Sequence, residues 1–125
     1  MKGNVLLVED NRLEAELLDE YLELYGLQVE RVSDGSFALE RLRDRDSHQP
    51  DGLILDLNLP LVSGYEILRA MKRDPRMRPR RVIVTSRLKA QNKIDVCMYM
   101  GADAYVQKND DSILFANDLW NALEA

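Results

Sequence analysis

A chain of 125 residues is long enough for one compact domain with a hydrophobic core and too short for two. Hydrophobic residues make up 46% of it and charged residues 31%, as in a soluble globular protein, and no apolar run approaches the roughly 20 residues that span a bilayer. The net charge of -5 argues against direct binding of nucleic acid, which depends on clustered positive charge. The single cysteine, Cys97, cannot form an internal disulfide and no signal peptide is visible at Met1–Asn4, so we expect a cytoplasmic protein.

Short strands alternate with helices along the whole chain. Apolar residues at helical spacing indicate a first helix from Leu13 to Tyr25, after a cap at Asp10 or Asn11, and a second from Phe37 to Leu42. Later helices are predicted at Gly64–Arg73, Lys89–Met100 and Asp110–Leu123. Strands are predicted at Val5–Val8, Leu27–Val32, within Asp51–Pro60, at Val82–Thr85 and at Ala104–Val106. This alternation favours a single α/β domain in which a parallel sheet carries helices on both faces.

The stretch from Asp51 to Pro60 contains the central strand of this sheet. Its apolar residues are bounded by turn-forming residues, which is typical of a strand buried on both faces. Asp56 stands at the C-terminal end of the strand, where a covered charge would be costly. Such a carboxylate is tolerated where the strand end opens into a crevice, the usual ligand site of an open α/β sheet. From this stretch alone, Asp56 is equally well explained as the cap of a following turn.

Polar residues follow four of the predicted strands at the same edge of the sheet. They are Glu9 and Asp10 after strand 1, Asp56 after strand 3, Thr85 after strand 4 and Lys108 after strand 5. The three carboxylates would repel one another, and Mg²⁺ would remove that repulsion, with the Asn58 carbonyl as a further oxygen ligand. Lys108 and the Thr85 hydroxyl would suit an incoming phosphoryl group. Scattered capping residues with one salt bridge to Lys108 would explain this coincidence less well.

In these residues and along its whole length, the chain resembles the receiver domain of two-component response regulators. The resemblance rests on Glu9-Asp10, Asp56 followed by Pro60 and Gly64, Thr85-Ser86, Gly101-Ala102-Asp103-Ala104-Tyr105 and Lys108. It implies a flavodoxin-like (βα)5 fold whose parallel five-stranded sheet has the order 2-1-3-4-5. It also implies that residues 1–125 form one receiver domain, which is a signalling phosphoacceptor and not a conventional enzyme.

The family pattern assigns a role to each residue of the acidic cluster. Asp56 would be the phosphoacceptor, and its donor a histidine kinase or a histidine phosphotransfer protein. Asp10 would bind Mg²⁺ (or Mn²⁺) directly together with Asp56, Glu9 through water and Asn58 through its carbonyl. The resemblance therefore implies a divalent cation as cofactor.

The same pattern assigns residues that respond to the phosphoryl group. Thr85 would bond to it, Lys108 would pair with it, and Tyr105 would turn inward when Thr85 moves. Asn58 and Arg87 stand two positions after Asp56 and Thr85, respectively. By the family pattern they flank the path of the hydrolytic water, so they are expected to modulate the lifetime of the phosphorylated state.

One position departs from the family pattern. The family lysine is usually followed by a proline in a cis peptide bond, whereas Lys108 is followed by Asn109. A cis bond without proline costs about 3–4 kcal/mol, so we expect a trans bond here. The chemistry of Lys108 is expected to remain.

Three other functions share part of the pattern. A phosphatase of the haloacid-dehalogenase type resembles a DxD motif, but Asn58 stands where its second aspartate would transfer protons. A flavodoxin-type FMN site needs a hydroxyl- and glycine-rich loop after strand 1, where Glu9 and Asp10 would repel a phosphate. A pseudo-receiver that acts as a phosphate-independent interaction module stays open, with Asn109 as its support.

Several features bear on the output of the protein. Because the chain ends at Ala125 after the last predicted helix, we expect no output domain. The segment Lys72–Arg81 contains six basic residues, which are explained as a solvated loop or as a contact for an acidic patch on a partner. The motifs Asp56-Leu-Asn-Leu-Pro and Arg73-Asp-Pro-Arg resemble small single-domain regulators paired with phytochrome-type histidine kinases.

We expect helix 4, strand 5 and helix 5 to form the interaction surface, as a homodimer or partner interface. In helix 4, Ile94, Cys97 and Met98 are predicted to fill the core, while Val96, Tyr99 and Met100 point elsewhere. Helix 5 carries more apolar residues than one buried stripe requires, namely Ile113, Leu114, Phe115, Leu119, Trp120 and Leu123. An exposed apolar patch often marks an interface. The alternative is a small domain that leaves some apolar area exposed.

Overall fold

Five parallel strands form the centre of the computed structural model, which describes residues 3–125. The strands are β1 (Gly3–Val8), β2 (Leu27–Val32), β3 (Gly52–Asp56), β4 (Arg81–Ser86) and β5 (Ala104–Gln107). Their order, β2-β1-β3-β4-β5, confirms the predicted α/β fold and the order 2-1-3-4-5. Met1 and Lys2, where part of the signal-peptide expectation falls, lie outside the described residues.

Five α-helices connect and follow the strands. They are α1 (Arg12–Glu23), α2 (Gly35–Arg43), α3 (Gly64–Arg73), α4 (Gln91–Tyr99) and α5 (Ser112–Glu124), and a short 3-10 helix covers Pro75–Met77. Side-chain oxygens of Asn11, Asp34, Ser63 and Asp111 accept a backbone N–H at the start of α1, α2, α3 and α5. No side chain caps α4, which begins at Gln91 and not at the predicted Lys89. Within residues 3–125, no helix has the length and apolar character needed to cross a membrane.

The two faces of the sheet pack against different helices. Side chains of β3 alternate between them, so Leu53 and Leu55 pack with α2, α3 and α4, whereas Ile54 packs with α1 and α5. Every residue of β3 is buried, as expected for a central parallel strand. β2 is more exposed and lies at the edge of the sheet, which agrees with its alternating sequence. The core therefore fixes the sheet and leaves its C-terminal edge open for polar residues.

The inward face of α4 is narrower than the sequence predicted. Cys97 is fully buried and Ile94 is half-buried, but 42% of Met98 is exposed, so the prediction that Met98 fills the core is wrong. Adjacent positions on a helix differ by about 100°, so a short helix that lies on the edge of the sheet buries only one of Cys97 and Met98 fully. The exposed residues Val96, Met98 and Tyr99 extend the apolar surface of the helix.

The basic segment before β4 is partly structural. Asp103 accepts hydrogen bonds from Arg78 (2.6 Å) and from the backbone N–H of Val82 (2.7 Å), which ties the segment to the start of β4. Arg81 donates to the carbonyl of Ala122 at 2.8 Å and so reaches α5. The interpretation as a solvated loop therefore holds for the exposed Arg80 but not for Arg78 and Arg81.

Candidate functional site

The C-terminal ends of the strands bring the predicted site residues together. Asp56 ends β3 and is in register with Thr85 of β4, and Leu57 N–H donates to the Thr85 carbonyl at 3.1 Å. Lys108 follows β5, and its N–H donates to the carbonyl of Ser86 at 2.8 Å. Hydrogen bonds of the sheet thus continue past the strand ends and hold the backbone of the site.

The loop from β3 to α3 lies close against the backbone of Asp56. A Cβ at Gly64 would be 2.6 Å from the Asp56 carbonyl oxygen, so glycine is the residue that lets α3 begin there without a shift of the backbone. The Gly64 N–H donates to the carbonyl of Leu57 at 3.1 Å. The Asn58 N–H donates to Oδ1 of Asp56 at 2.9 Å, which orients the carboxylate.

Lys108 is the cation at the centre of the site. Its side chain is only 8% exposed, and its Nζ lies 2.8 Å from both Oδ2 of Asp56 and Oε2 of Glu9. Burial lowers the pKa of Lys108, but the hydrogen bonds to Asp56 and Glu9 outweigh burial and raise the pKa above its usual value. Because residues 3–125 contain no cis peptide bond, the Lys108–Asn109 bond is trans, as predicted. The lysine reaches Asp56 without the family proline.

Three carboxylates form a cluster that suits a hard cation. Glu9, Asp10 and Asp56 each place an oxygen within 4.8 Å of the others, the one such cluster among the described residues. Glu9 and Asp56 are buried, whereas Asp10 is exposed at the mouth. Burial raises the pKa of Glu9 to about 7, against the opposing effect of Lys108, so the site disfavours a further unbalanced negative charge. An all-oxygen set with an open side fits Mg²⁺ or Mn²⁺.

A pocket of about 460 Å³ opens over this cluster. Its lining residues are Glu9, Asp10, Asn11, Glu14, Asp56, Asn58, Arg87 and Lys108. Thr85 is buried next to Asp56 and does not line the pocket. A larger cavity of about 900 Å³ in front of β2 and α2 shares Glu9 and Asp10 but none of Asp56, Thr85 and Lys108. The smaller pocket is therefore where the predicted chemistry would occur.

Arg87 lies at the rim of this pocket, held by carboxylates from two other segments. It pairs with Glu14 of α1 and, at 3.0 Å, with Asp110 of the loop before α5. Glu14 also lies 3.5 Å from Nζ of Lys108. Sequence reasoning missed Glu14, although its position three residues after the predicted cap Asn11, in the first turn of α1, was a usable signal.

A comparison with protein families agrees with this geometry. The family model described as the response regulator receiver domain matches residues 5–117. The chain belongs to this family. It is therefore a receiver domain of two-component signalling, as the resemblance predicted.

Individual relatives support the same assignment. The chain is 32% identical to the polar-differentiation response regulator DivK of Brucella anthropi over 108 residues, 86% of this chain and 85% of that protein. Its fold is similar to the phosphorylated cyanobacterial phytochrome response regulator RcpA, with a TM-score of 0.85 and 28% identity over 97% of this chain and 91% of that one. CheY4 of Vibrio cholerae, a chemotaxis response regulator, shares the fold with a TM-score of 0.83 and 20% identity over 98% and 99% of the chains. Pairing with a phytochrome-type kinase stays a prediction, since DivK is matched at a similar identity.

Tyr105 of the receiver domain lies on β5, one strand away from the β4 residues of the site. It is half-buried, and its hydroxyl donates to the carbonyl of Leu88 in the loop between β4 and α4. Gln107 donates to the carbonyl of Arg87 at 3.1 Å in the same loop. Two side chains of β5 thus bind the loop that follows Thr85. A movement of that loop would displace the carbonyl to which the Tyr105 hydroxyl donates.

Proposed function

We propose that this receiver domain accepts a phosphoryl group on Asp56 from a histidine kinase or a histidine phosphotransfer protein. The observation that carries the proposal is the buried Asp56 carboxylate, hydrogen-bonded to Lys108 at 2.8 Å beneath an open acidic pocket. A carboxylate in this position can attack a phosphorus atom that enters from the pocket. The new bond joins an Asp56 oxygen to phosphorus, and the phosphorus–nitrogen bond of the donor histidine breaks.

Residues of the chain would orient and stabilise the transferred group. The Asn58 N–H holds Oδ1 of Asp56 at 2.9 Å, which leaves Oδ2 to Lys108. Lys108 would donate a hydrogen bond to a phosphoryl oxygen on which negative charge develops. The Thr85 hydroxyl would donate a hydrogen bond to another phosphoryl oxygen. Asp10, Asp56 and the Asn58 carbonyl would hold Mg²⁺ or Mn²⁺, and Glu9 would do so through water. The bound cation would neutralise charge on both the carboxylate and the transferred group.

The output of phosphorylation is a change in the surface formed by α4, β5 and α5. Tyr99 on α4 is 79% exposed, and Val96, Met98, Ile113 and Leu114 are also exposed, so this surface carries unpaired apolar area. Tyr105 of β5 packs on the face of the sheet that α4 covers and donates a hydrogen bond to the loop after Thr85. Phosphorylation would therefore shift the population of surface conformations and the binding of a partner or a second copy of the chain.

A pseudo-receiver without phosphorylation is less well supported, because Lys108 reaches Asp56 despite Asn109.

Intact-mass measurement after incubation with Mg²⁺ and a small phosphodonor, or a kinase, tests the central proposal. The wild-type protein is expected to gain one acid-labile phosphoryl group, and Asp56→Asn is expected to gain none. Asp46→Asn, at an exposed loop position, is the matched control and should behave as wild type. Equal labile mass on wild type and Asp56→Asn would refute the proposal.

A further inference from the structure

Four carboxylates line the pocket of about 460 Å³ over Asp56, and Glu14 is the one to which the family pattern assigns no role. It stands in the first turn of α1, and its side chain is 29% exposed. One of its oxygens pairs with Arg87, and the other lies 3.5 Å from Nζ of Lys108. Glu14 therefore contacts both cations of the pocket at once.

The same two cations are the ones that a phosphoryl group on Asp56 would need. Lys108 already contacts Asp56 at 2.8 Å, and Arg87 lines the same pocket. A guanidinium binds carboxylates and phosphates with the same N–H donors. Arg87 gives one terminal nitrogen to Glu14 and the other to Asp110, so a phosphoryl group would compete with these carboxylates for Arg87. Glu14 therefore contacts both cations before any phosphoryl group is bound.

The charge balance of the pocket also favours the release of Glu14 when Asp56 is phosphorylated. Four carboxylates and two cations line it. Phosphorylation replaces the single charge of Asp56 by a group that carries about -1.5 to -2, so the pocket becomes more negative. Glu9 is buried, and Asp10 would be held by the metal, but Glu14 lies on a helix surface and can turn to solvent. Of these carboxylates, Glu14 is the one able to leave.

We propose that Glu14 is an internal competitor of the phosphoryl group. It holds Arg87 and Lys108 while Asp56 is unphosphorylated, and it releases them to the phosphoryl group afterwards. The inference rests on the proposed function, because it requires an anion on Asp56. Its consequence is that Glu14 weakens the phosphorylated state and limits how strongly the site binds any phosphoryl-like anion. The second partner of Arg87, Asp110, is almost fully exposed and does not contact Lys108, so it competes less.

Binding of beryllofluoride, a phosphoryl analogue, in the presence of Mg²⁺ tests this competition. We expect Glu14→Gln to bind it about two- to fivefold more tightly than wild type, because fivefold corresponds to the upper end of the strength of one partly exposed ion pair. Glu14→Ala should give a similar gain, which guards against an effect peculiar to the glutamine. Glu16→Gln is the matched control, because Glu16 lies on the same helix and pairs with Arg12, outside the pocket. Affinity measured by ¹⁹F NMR titration is the readout, with circular dichroism to confirm the fold.

A double-mutant cycle separates competition from a structural role of Glu14. In an Arg87→Gln background, the gain from Glu14→Gln should shrink, since the carboxylate no longer withholds the guanidinium. Equal or weaker binding by Glu14→Gln, or the same gain in both backgrounds, would overturn the inference while leaving phosphorylation of Asp56 intact. Failure of wild type to bind the analogue, or equal binding by Asp56→Asn, would instead overturn the proposed function and the inference with it.

Discussion

Gly64→Ala tests whether the close approach of α3 to β3 positions the phosphoacceptor. A Cβ at this position would lie 2.6 Å from the Asp56 carbonyl oxygen and 2.8 Å from the Cα of Leu57. Both are backbone atoms, so no side chain can rotate to make room. The start of α3 or the end of β3 must move instead.

Two effects of opposite sign determine the change in stability. Alanine is favoured over glycine in a helix by up to about 1 kcal/mol, and less at the first helical position, where Gly64 stands. Overpacking that forces the backbone to shift costs about 1–3 kcal/mol. We therefore expect Gly64→Ala to lose about 1–2 kcal/mol of unfolding free energy, or about 3–10 °C in Tm for a domain of this size.

The assay combines urea unfolding with the rate of Asp56 phosphorylation by a small phosphodonor. Because the shift acts on the backbone of Asp56 itself, we expect the rate to fall about tenfold or more. Gly26→Ala is the control: its Cβ would meet no atom within 4 Å, but its φ of +90° disfavours alanine. It should lose about 1 kcal/mol of stability and phosphorylate normally. A Gly64→Ala protein as stable and as readily phosphorylated as wild type would refute the reasoning.

Two further substitutions test the rim of the pocket and the output surface. Arg87→Ala is expected to speed dephosphorylation several-fold, because it uncovers the phosphoryl group, whereas the exposed Arg80→Ala should not. Equal decay rates of phosphorylated wild type and Arg87→Ala would remove Arg87 from the site. Tyr99→Glu is expected to abolish phosphorylation-dependent self-association or partner binding, as measured by sedimentation, while Leu24→Glu, at a position that is 83% exposed, leaves it unchanged. If Tyr99→Glu sediments and binds the kinase as wild type does in every state, the surface lies elsewhere.

The apolar surface of α4 and α5 shows the limit of reading helices from sequence. Apolar residues on most sides of α4 were recognised, but the sequence placed Met98 in the core, and the structure leaves 42% of it exposed. Hydrophobicity alone does not say which of two neighbouring apolar residues faces the sheet. That choice depends on how the helix axis lies on the sheet, which is a property of the packed molecule.

The order of the elements and the membership of the acidic cluster followed from the sequence by itself. A parallel sheet brings the C-terminal ends of all its strands to one edge, so residues at strand ends can be placed together before any contact is known. Only the tertiary structure decided the ion pairs of this edge. Lys108 bonds to Glu9 across 99 positions and Arg87 pairs with Glu14 across 73 positions. Such pairs depend on strand register and on side-chain direction across the pocket, and neither is encoded in local sequence patterns.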